Sequence, residues 1–215
     1  LEALGANINL TPAQVEQCVW QQHNGFLFAT LFHKAMRHAA APRKELGIRT
    51  IFNVLGPLTN PAMAKVQLLG VFSPDLTETM AQALKNLGTQ RALVVCGTDG
   101  MDEISCCDET KITELRNGEI STYYISPEAY GLDRCTLPEL LGGDAPQNAG
   151  VIRELFEGRK GPKRDFLLLN SGAALYAADK ASSLEEGVRL AARLIDSGTV
   201  ARKLNDFIAY TGRFL

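Results

Sequence analysis

The chain has 215 residues, of which 46% are hydrophobic and 21% are charged, and its formal net charge is −2 at pH 7. This length and apolar content suffice for a sizeable core, so we expect a single domain over residues 1–215. Basic and acidic residues are mixed along the chain, which excludes the basic surface typical of proteins that bind nucleic acids or anionic membranes.

The first predicted elements are two helices. Thr11, Pro12 and Gln14 supply an N-cap hydroxyl, a proline at the first helical position and a glutamine able to close a capping box, so a helix begins there. It should end near Asn24 and Gly25. The spacing of five apolar residues on one face then predicts a second helix, through Phe28, Leu31, Phe32, Ala35 and Met36.

A strand–helix–strand unit follows. The apolar run from Val66 to Phe72 has strand length, and the sequence from Leu76 to Leu87 keeps helical spacing of its apolar residues. A second apolar run, Ala92 to Cys96, comes directly after it. Short links of this kind make a βαβ crossover, in which the two strands are parallel. We therefore predict an α/β fold with a central, mainly parallel sheet flanked by helices.

The second half of the chain combines a hairpin with further helices. Asn117-Gly118 is a strong hairpin signal within residues 111–126. From Gly142 onward the α/β pattern returns, with Asp144 as a predicted N-cap. The remaining elements predicted are a helix near Ala149 to Glu157, a strand at Phe166 to Asn170, an alanine-rich helix after Ser171 and a last amphipathic helix after Ser183.

Targeting signals and cysteine chemistry are the next features. We find no run of about 18 apolar residues and no charged-then-apolar leader, so we expect neither a membrane span nor a secretory signal. The five cysteines are odd in number and form no CxxC or Cys/His cluster. This spacing argues against a disulfide framework or a structural zinc site, and predicts reduced thiols of a cytoplasmic protein.

An acidic pair lies in the loop that leaves the second strand of the crossover. Ligands of open α/β sheets bind beyond the carboxyl ends of the parallel strands, which singles out residues 97–103. Within them, the adjacent carboxylates of Asp102 and Glu103 offer hard oxygen ligands suited to Mg²⁺ with a phosphorylated substrate. The alternative is a solvated surface pair without a function.

Three further features could contact a ligand. Arg43 could bind a carboxylate through two parallel hydrogen bonds, or it could belong to an exposed charged helix face. Gly56-Pro57 and Asn60-Pro61 predict turns in a stiff loop, which could equally well only join two elements. His33 is either an imidazole facing a ligand or a packed helix residue.

Several stretches resemble the anthranilate phosphoribosyltransferases of tryptophan biosynthesis. They are residues 26–62, FLFATLFHKAMRHAAAPRKELGIRTIFNVLGPLTNPA, then GVFSPDLTE, GTDGMDE and LLNSGAAL, and the match runs in order through essentially the whole chain. The resemblance implies the large α/β domain of the nucleoside phosphorylase and phosphoribosyltransferase catalytic type. It also implies transfer of the phosphoribosyl group of phosphoribosyl pyrophosphate to the amine of anthranilate, with Mg²⁺ as cofactor and pyrophosphate released.

The resemblance also implies residue roles. Arg43 looks like the arginine that pairs with the anthranilate carboxylate, and His33 with Gly56 and Pro57 looks like the wall of the acceptor site. Asp102 and Glu103 look like the magnesium-binding pair. Lys34 and the Ala41-Pro42 order depart from the family pattern, but the spacing from His33 to Arg43 is kept. No catalytic residue is assigned, since an aryl amine is already neutral and needs no strong base.

The family's glycine-rich donor loop and its small helical domain, which forms the homodimer interface, should precede Leu1. We therefore expect the polypeptide as printed to bind the donor weakly, to lack the usual dimer-forming domain and to be inactive alone. Two other functions stay open: a pyrimidine nucleoside phosphorylase-like enzyme and a non-catalytic, nucleic-acid-binding homologue. The Arg43 and Gly56-Pro57 block favours the anthranilate enzyme over the first, and the slight negative charge disfavours the second.

Overall fold

The computed structural model describes residues 1–32 and 51–215, with the side chains of residues 51–54 excepted. Four strands form one sheet: β1 (Val66–Gly70), β2 (Arg91–Gly97), β3 (Thr110–Arg116) and β4 (Glu119–Ile125). The helices before and between the strands are α1 (Pro12–Gln22), α2 (Ala29–Phe32), α3 (Ile51–Leu58) and α4 (Leu76–Asn86). Those after the sheet are α5 (Leu137–Leu140), α6 (Ala145–Phe156), α7 (Pro162–Ala177), α8 (Leu184–Asp196) and α9 (Thr199–Thr211).

The predicted start of α1 is confirmed in detail. The Thr11 backbone N–H donates to Gln14 Oε1 at 2.8 Å, and the Gln14 N–H donates back to Thr11 Oγ1 at 3.4 Å, which completes the capping box. The helix ends at Gln22, and His23 turns the chain with a φ of 55°. Of the predicted second helix, α2 is described; the rest of that prediction lies outside the described residues.

The sheet has the order β1-β2-β3-β4 and contains both kinds of strand pair. β1 and β2 are parallel, with Val66 opposite Arg91 and Gly70 opposite Val95, so the βαβ prediction is confirmed. β2–β3 and β3–β4 are antiparallel. The described residues thus form a mixed sheet and not the mainly parallel sheet predicted, because the Asn117-Gly118 hairpin adds its strands directly beside β2. Both turn residues have positive φ, 52° and 79°, as a two-residue hairpin of this kind requires.

The strand predicted at Phe166 to Asn170 is wrong, since these residues lie in the middle of α7. Gly161 and Pro162 start this helix, and proline is well suited to its first position. The run of apolar residues has strand length, but its buried positions recur at helical spacing: Leu168, Leu169, Gly172 and Ala173. A short apolar run does not distinguish the two structures by itself. The helix after Ser183 is confirmed as α8, but it is not the last, because α9 follows it.

Helices cover both faces of the sheet. Successive strand residues point to opposite faces, so Leu93 and Val95 pack towards α7 and α8, while Val94 and Cys96 pack towards α4. A third cluster joins the N-terminal residues to α9 through Leu10, Cys18 and Phe207, among others. The α/β class is therefore confirmed. No helix within residues 1–32 and 51–215 has both the length and the apolar character needed to cross a membrane.

The packing of α7 against α8 depends on two glycines. A Cβ atom on Gly172 would lie 2.6 Å from the backbone nitrogen of Val188, and one on Gly187 would overlap the carbonyl oxygen of Gly172. The two helices therefore touch backbone to backbone on the sheet face opposite α4. This contact fixes where α7 lies above the carboxyl end of β2.

Candidate functional site

The loop after β2 begins with a tight turn. The Gly97 N–H donates to the carbonyl of Met101 at 2.8 Å, and the Gly100 N–H donates to the carbonyl of Gly97 at 3.0 Å. Gly100 has a φ of 89°, a left-handed conformation that glycine adopts without strain. The side chain of Asp99 accepts a further bond from the Met101 N–H at 3.1 Å. The loop thus leaves the sheet in a defined direction.

Ser105 holds the second half of this loop. Its hydroxyl donates to Asp99 Oδ2 at 2.6 Å and accepts from the N–H of Cys107 at 2.8 Å. Its own N–H donates to the Thr110 hydroxyl at 2.9 Å, at the start of β3. Ser105 and Thr110 are buried, so these bonds are shielded from water. The loop is therefore closed on itself from Asp99 to Thr110.

Asn170 of α7 holds the loop from outside. Its Oδ1 accepts from the Ile104 N–H at 2.9 Å, and its Nδ2 donates to the Ile104 carbonyl at 2.9 Å and to the Phe166 carbonyl at 3.0 Å. The side chain of Ile104 is fully buried. Sequence reasoning missed this role because it took Asn170 for the end of a strand, and no signal in the sequence pairs it with Ile104.

The acidic pair precedes this anchored residue directly. Asp102 and Glu103 are both exposed residues, whereas Ile104 is buried. The Glu103 carboxyl nevertheless lies close enough to the protein body that desolvation, together with the negative charge of Asp102, raises its pKa. A bound cation would offset the negative charge of Asp102 that disfavours the ionisation of Glu103.

The surrounding groups make this edge of the sheet electronegative. Burial raises the pKa of the Cys96 thiol, and the charges of Asp99 and Asp102 raise it further, against the opposing charge of Lys111. The donor set fits Mg²⁺, which binds carboxylate oxygens and keeps several water ligands. Throughout the part of the chain that the structure describes, no cluster of three or more His, Cys, Asp or Glu residues could hold a metal ion.

Gly70, at the end of β1, meets the backbone of the acidic pair. A Cβ atom at this position would overlap the carbonyl oxygen of Asp102, so only glycine fits. Beside it lies a small cavity of about 90 Å³ whose lining includes Pro57, Phe72, Met80 and Asp102. Pro57 and Asp102, two residues singled out in the sequence, are thus brought together.

The turn predicted at Gly56-Pro57 is wrong, because both residues belong to α3. Pro57 lies inside the helix, one residue before its last residue, Leu58, so its missing N–H removes at most one hydrogen bond from the last turn. The turn at Asn60-Pro61 is confirmed: Asn60 Oδ1 accepts from the Ala62 N–H at 2.9 Å, and the Asn60 carbonyl accepts from the Met63 N–H at 2.9 Å. A Cβ atom on Gly56 would meet no atom of the described residues within 4 Å.

The structure describes only part of the predicted site. His33 and Arg43 lie outside the described residues. Of the predicted residues that the structure describes, Pro57 and Asp102 line the same small cavity. Their roles in acceptor and metal binding stay predictions.

Comparison with known proteins places the chain in a family. The model of the glycosyl transferase family, a/b domain, matches residues 1–201. The chain is 55% identical over its whole length to the anthranilate phosphoribosyltransferase of Acetivibrio thermocellus, of which it covers 62%. It is 53% identical, over 97% of its length, to that of Alkaliphilus metalliredigens, of which it covers 61%. The chain thus spans about three fifths of the length of the curated relatives it matches.

Solved structures agree with this match. The anthranilate phosphoribosyltransferase from Thermus thermophilus superposes with a TM-score of 0.91 at 44% identity, covering 98% of this chain and 62% of that one. The Saccharomyces cerevisiae enzyme in complex with PRPP and Mg superposes with a TM-score of 0.90 at 28% identity, covering 99% of this chain and 61% of that one. The predicted phosphoribosyltransferase type of fold is confirmed. On the family match over residues 1–201, the chain belongs to the glycosyl transferase family, of which it contains the a/b domain.

Proposed function

We propose that this protein acts as an anthranilate phosphoribosyltransferase of tryptophan biosynthesis. It would transfer the phosphoribosyl group of phosphoribosyl pyrophosphate to the amine of anthranilate and release pyrophosphate. The observation that carries the proposal is the Asp102–Glu103 pair, exposed on a fixed loop at the carboxyl end of β2, in a chain 55% identical to a relative of that name. Ligands of open α/β sheets bind at this edge, where a bound cation would offset the charge of an anionic donor.

Asp102 and Glu103 would hold the magnesium ion. When bound, Mg²⁺ offsets the negative charge that grows on the departing pyrophosphate. The part played by the chain is positional: the loop contacts of Ser105, Asn170 and Gly70 keep the two carboxylates in one place. Holding both substrates in line lowers the entropic barrier to their reaction.

The acceptor side of the proposal rests on Arg43, His33, Gly56 and Pro57. Arg43 would bind the anthranilate carboxylate with two parallel hydrogen bonds, a geometry that lysine does not reproduce. His33 with Gly56 and Pro57 would form the wall beside the aromatic ring. No strong general base is required, because the aryl amine is neutral before it attacks.

The relatives support the choice of ligands. Structures of the yeast enzyme include one with PRPP and Mg and one with 4-fluoroanthranilate. We extend these ligand classes to the present protein and propose the substrates anthranilate and phosphoribosyl pyrophosphate with Mg²⁺ as cofactor. A homodimer and a cytoplasmic location belong to the same proposal.

The test is the loss of anthranilate fluorescence in the presence of phosphoribosyl pyrophosphate and Mg²⁺, measured with the full-length protein. We expect consumption of anthranilate that requires both, and a fall in kcat of about 10²-fold or more when Asp102 and Glu103 are both replaced by alanine. Glu109→Ala, in the same loop and also exposed, is the matched control. Phosphorolysis of a pyrimidine nucleoside without anthranilate turnover would overturn the proposal.

Arg43→Lys tests the acceptor side separately. We expect a rise in the KM for anthranilate with little change in the KM for the donor, because only the bidentate carboxylate contact is lost. An unchanged KM for anthranilate would remove Arg43 from the site and leave the donor side of the proposal standing.

A further inference from the structure

The amide of Asn170 makes a two-point contact with one residue of the metal loop. It accepts from the Ile104 N–H and donates to the Ile104 carbonyl, both at 2.9 Å, across 66 residues of sequence. Only an amide side chain carries a donor and an acceptor side by side in this way. A carboxylate would satisfy the N–H and repel the carbonyl, and an alkyl group would satisfy neither.

The contact matters because Ile104 lies in a loop although its side chain is buried. No strand in the described sheet pairs with it, so its backbone groups depend on other partners. A buried backbone N–H or carbonyl without a partner is unfavourable, because it has lost its hydrogen bonds to water. The loop therefore has a strong preference for the one position in which Asn170 reaches both groups.

The acidic pair lies between this contact and a second one. On one side, the Asp102 carbonyl rests against Gly70 at the end of β1. On the other, the peptide after Glu103 is held by Asn170 of α7. The carboxylates of Asp102 and Glu103 are thus the exposed groups of a segment fixed at both ends.

We propose that Asn170 is a positioning residue for the metal-binding pair: its amide fixes the Ile104 backbone and thereby sets the direction in which Asp102 and Glu103 project. The inference rests on the proposed function, since it takes the metal role of the pair as given. Mg²⁺ demands near-ideal octahedral geometry, so a small shift of the loop weakens binding. Replacing residues that orient metal ligands costs 10- to 100-fold in metal affinity in other proteins.

The test compares two variants of one helix. Asn170→Leu keeps the side-chain size and removes both contacts with Ile104. Tyr176→Phe, six residues further along α7, removes hydrogen bonds to Glu114 and from Arg116, both at 2.9 Å, at the other end of the sheet. Both variants lose hydrogen bonds made by a side chain of α7, but only the first touches the metal loop. If Asn170 only stabilised the fold, the Asn170 and Tyr176 variants would bind metal equally well.

Binding of Mn²⁺ to the full-length protein, followed by the EPR signal of the free ion, is the first readout. We expect affinity about 10- to 100-fold weaker in Asn170→Leu and unchanged in Tyr176→Phe. Hydrogen exchange at the Ile104 amide is the second readout, and it should accelerate only in the Asn170 variant. If Asn170→Leu does not fold, Asn170→Ala, which also removes both contacts with Ile104 and adds no charge near the acidic pair, gives the same comparison.

Unchanged Mn²⁺ affinity in a folded Asn170 variant would overturn the inference. A double variant, Asp102→Asn with Glu103→Gln, separates this failure from failure of the proposed function. If the double variant loses Mn²⁺ and the Asn170 variants do not, only the positioning role is wrong. If the double variant binds Mn²⁺ like the wild type, the metal role itself fails, and the positioning role fails with it.

Discussion

The carbonyl oxygen of Asp102 occupies the space that a Cβ atom on Gly70 would need. The end of β1 is therefore in contact with the loop that follows β2. The contact is between main-chain atoms and lies at the acidic pair. A side chain at Gly70 would have to displace backbone, which yields far less readily than the tip of a flexible side chain.

Gly70→Ala should both destabilise the protein and weaken its response to Mg²⁺. Overpacking of this kind costs about 1–3 kcal/mol, which corresponds to a fall in Tm of about 2–12 °C for a chain of this size. Gly150→Ala in α6 is the matched control, because its Cβ would meet no atom of the part of the chain that the structure describes within 4 Å, and alanine favours a helix. Equal melting temperatures of the two variants, measured by calorimetry, would contradict the close approach at Gly70.

Glu78 predicts an acid-dependent loss of stability. Its carboxylate on α4 accepts from Lys111 Nζ at 3.0 Å and from the Thr122 hydroxyl at 3.1 Å, which ties the helix to β3 and β4. Desolvation opposes its ionisation, but the hydrogen bonds from Lys111, its backbone, Thr77 and Thr122 outweigh this and lower its pKa to about 2. The stability it contributes is therefore present above about pH 4.5 and is lost as the pH falls towards about 2.

Glu78→Gln should accordingly unfold about 1 kcal/mol more easily than the wild type at pH 7, a value kept small because the carboxylate is half exposed. The difference should shrink below about pH 4.5 and vanish near pH 2. Urea denaturation at a series of pH values measures it. A difference that is constant with pH would mean that packing, and not the charge of Glu78, is responsible.

Glu103 predicts the opposite pH dependence. Its pKa is raised by desolvation and by Asp102, so its ionised form costs stability above its folded-state pKa and has no effect where both states are protonated. Glu103→Gln should therefore melt about 1–2 °C higher than the wild type at pH 7 without metal, and at the same temperature in acid. Saturating Mg²⁺ should reverse the order at pH 7, since it stabilises only the protein that binds it. If the variant melted like the wild type in all three conditions, the ionised Glu103 carboxylate would not destabilise the fold.

The cysteines should differ sharply in reactivity. Cys18, Cys96 and Cys106 are buried, and Cys107 and Cys135 are half-buried with their Sγ atoms 3.7 Å apart. Desolvation and the adjacent Cys107 raise the pKa of Cys135 to about 12, so it holds little of the reactive thiolate at pH 8. Iodoacetamide should thus modify Cys135 slowly, although this residue is less buried than Cys18, Cys96 and Cys106. Mass spectrometry of the labelled peptides decides this, and fast modification of Cys135 would contradict it.

The sequence predicted elements well where local signals agree. The capping box at Thr11, the crossover from Val66 to Cys96 and the Asn117-Gly118 hairpin all depend on neighbouring residues, and the structure confirms them. The strand predicted at Phe166 to Asn170 is wrong because the length and apolar character of this run suit a strand or a helix equally. Packing of its buried side chains against α8 stabilises the helix.

The candidate site, too, could be predicted from sequence only where the pattern is local. Asp102 and Glu103 could be proposed from sequence because an acidic pair after a parallel strand is a local pattern. The contacts that fix the pair could not, since Gly70 lies 32 residues before Asp102 and Asn170 lies 66 after Ile104. No short-range pattern links residues so far apart; only the packing of α7 and the ends of β1 and β2 brings them together.

The position of Asn170 depends in turn on a contact further from the site, between Gly172 of α7 and Gly187 of α8. Because neither residue has a side chain, hydrogen atoms on two α-carbons set the spacing between α7 and α8. Asn170 lies two residues before Gly172 on α7. The distance between α7 and α8 therefore affects where the Asn170 amide lies relative to the loop. A single methyl group added at either glycine would push α7 and α8 apart, and would thereby shift the Asn170 amide relative to the loop that carries the acidic pair.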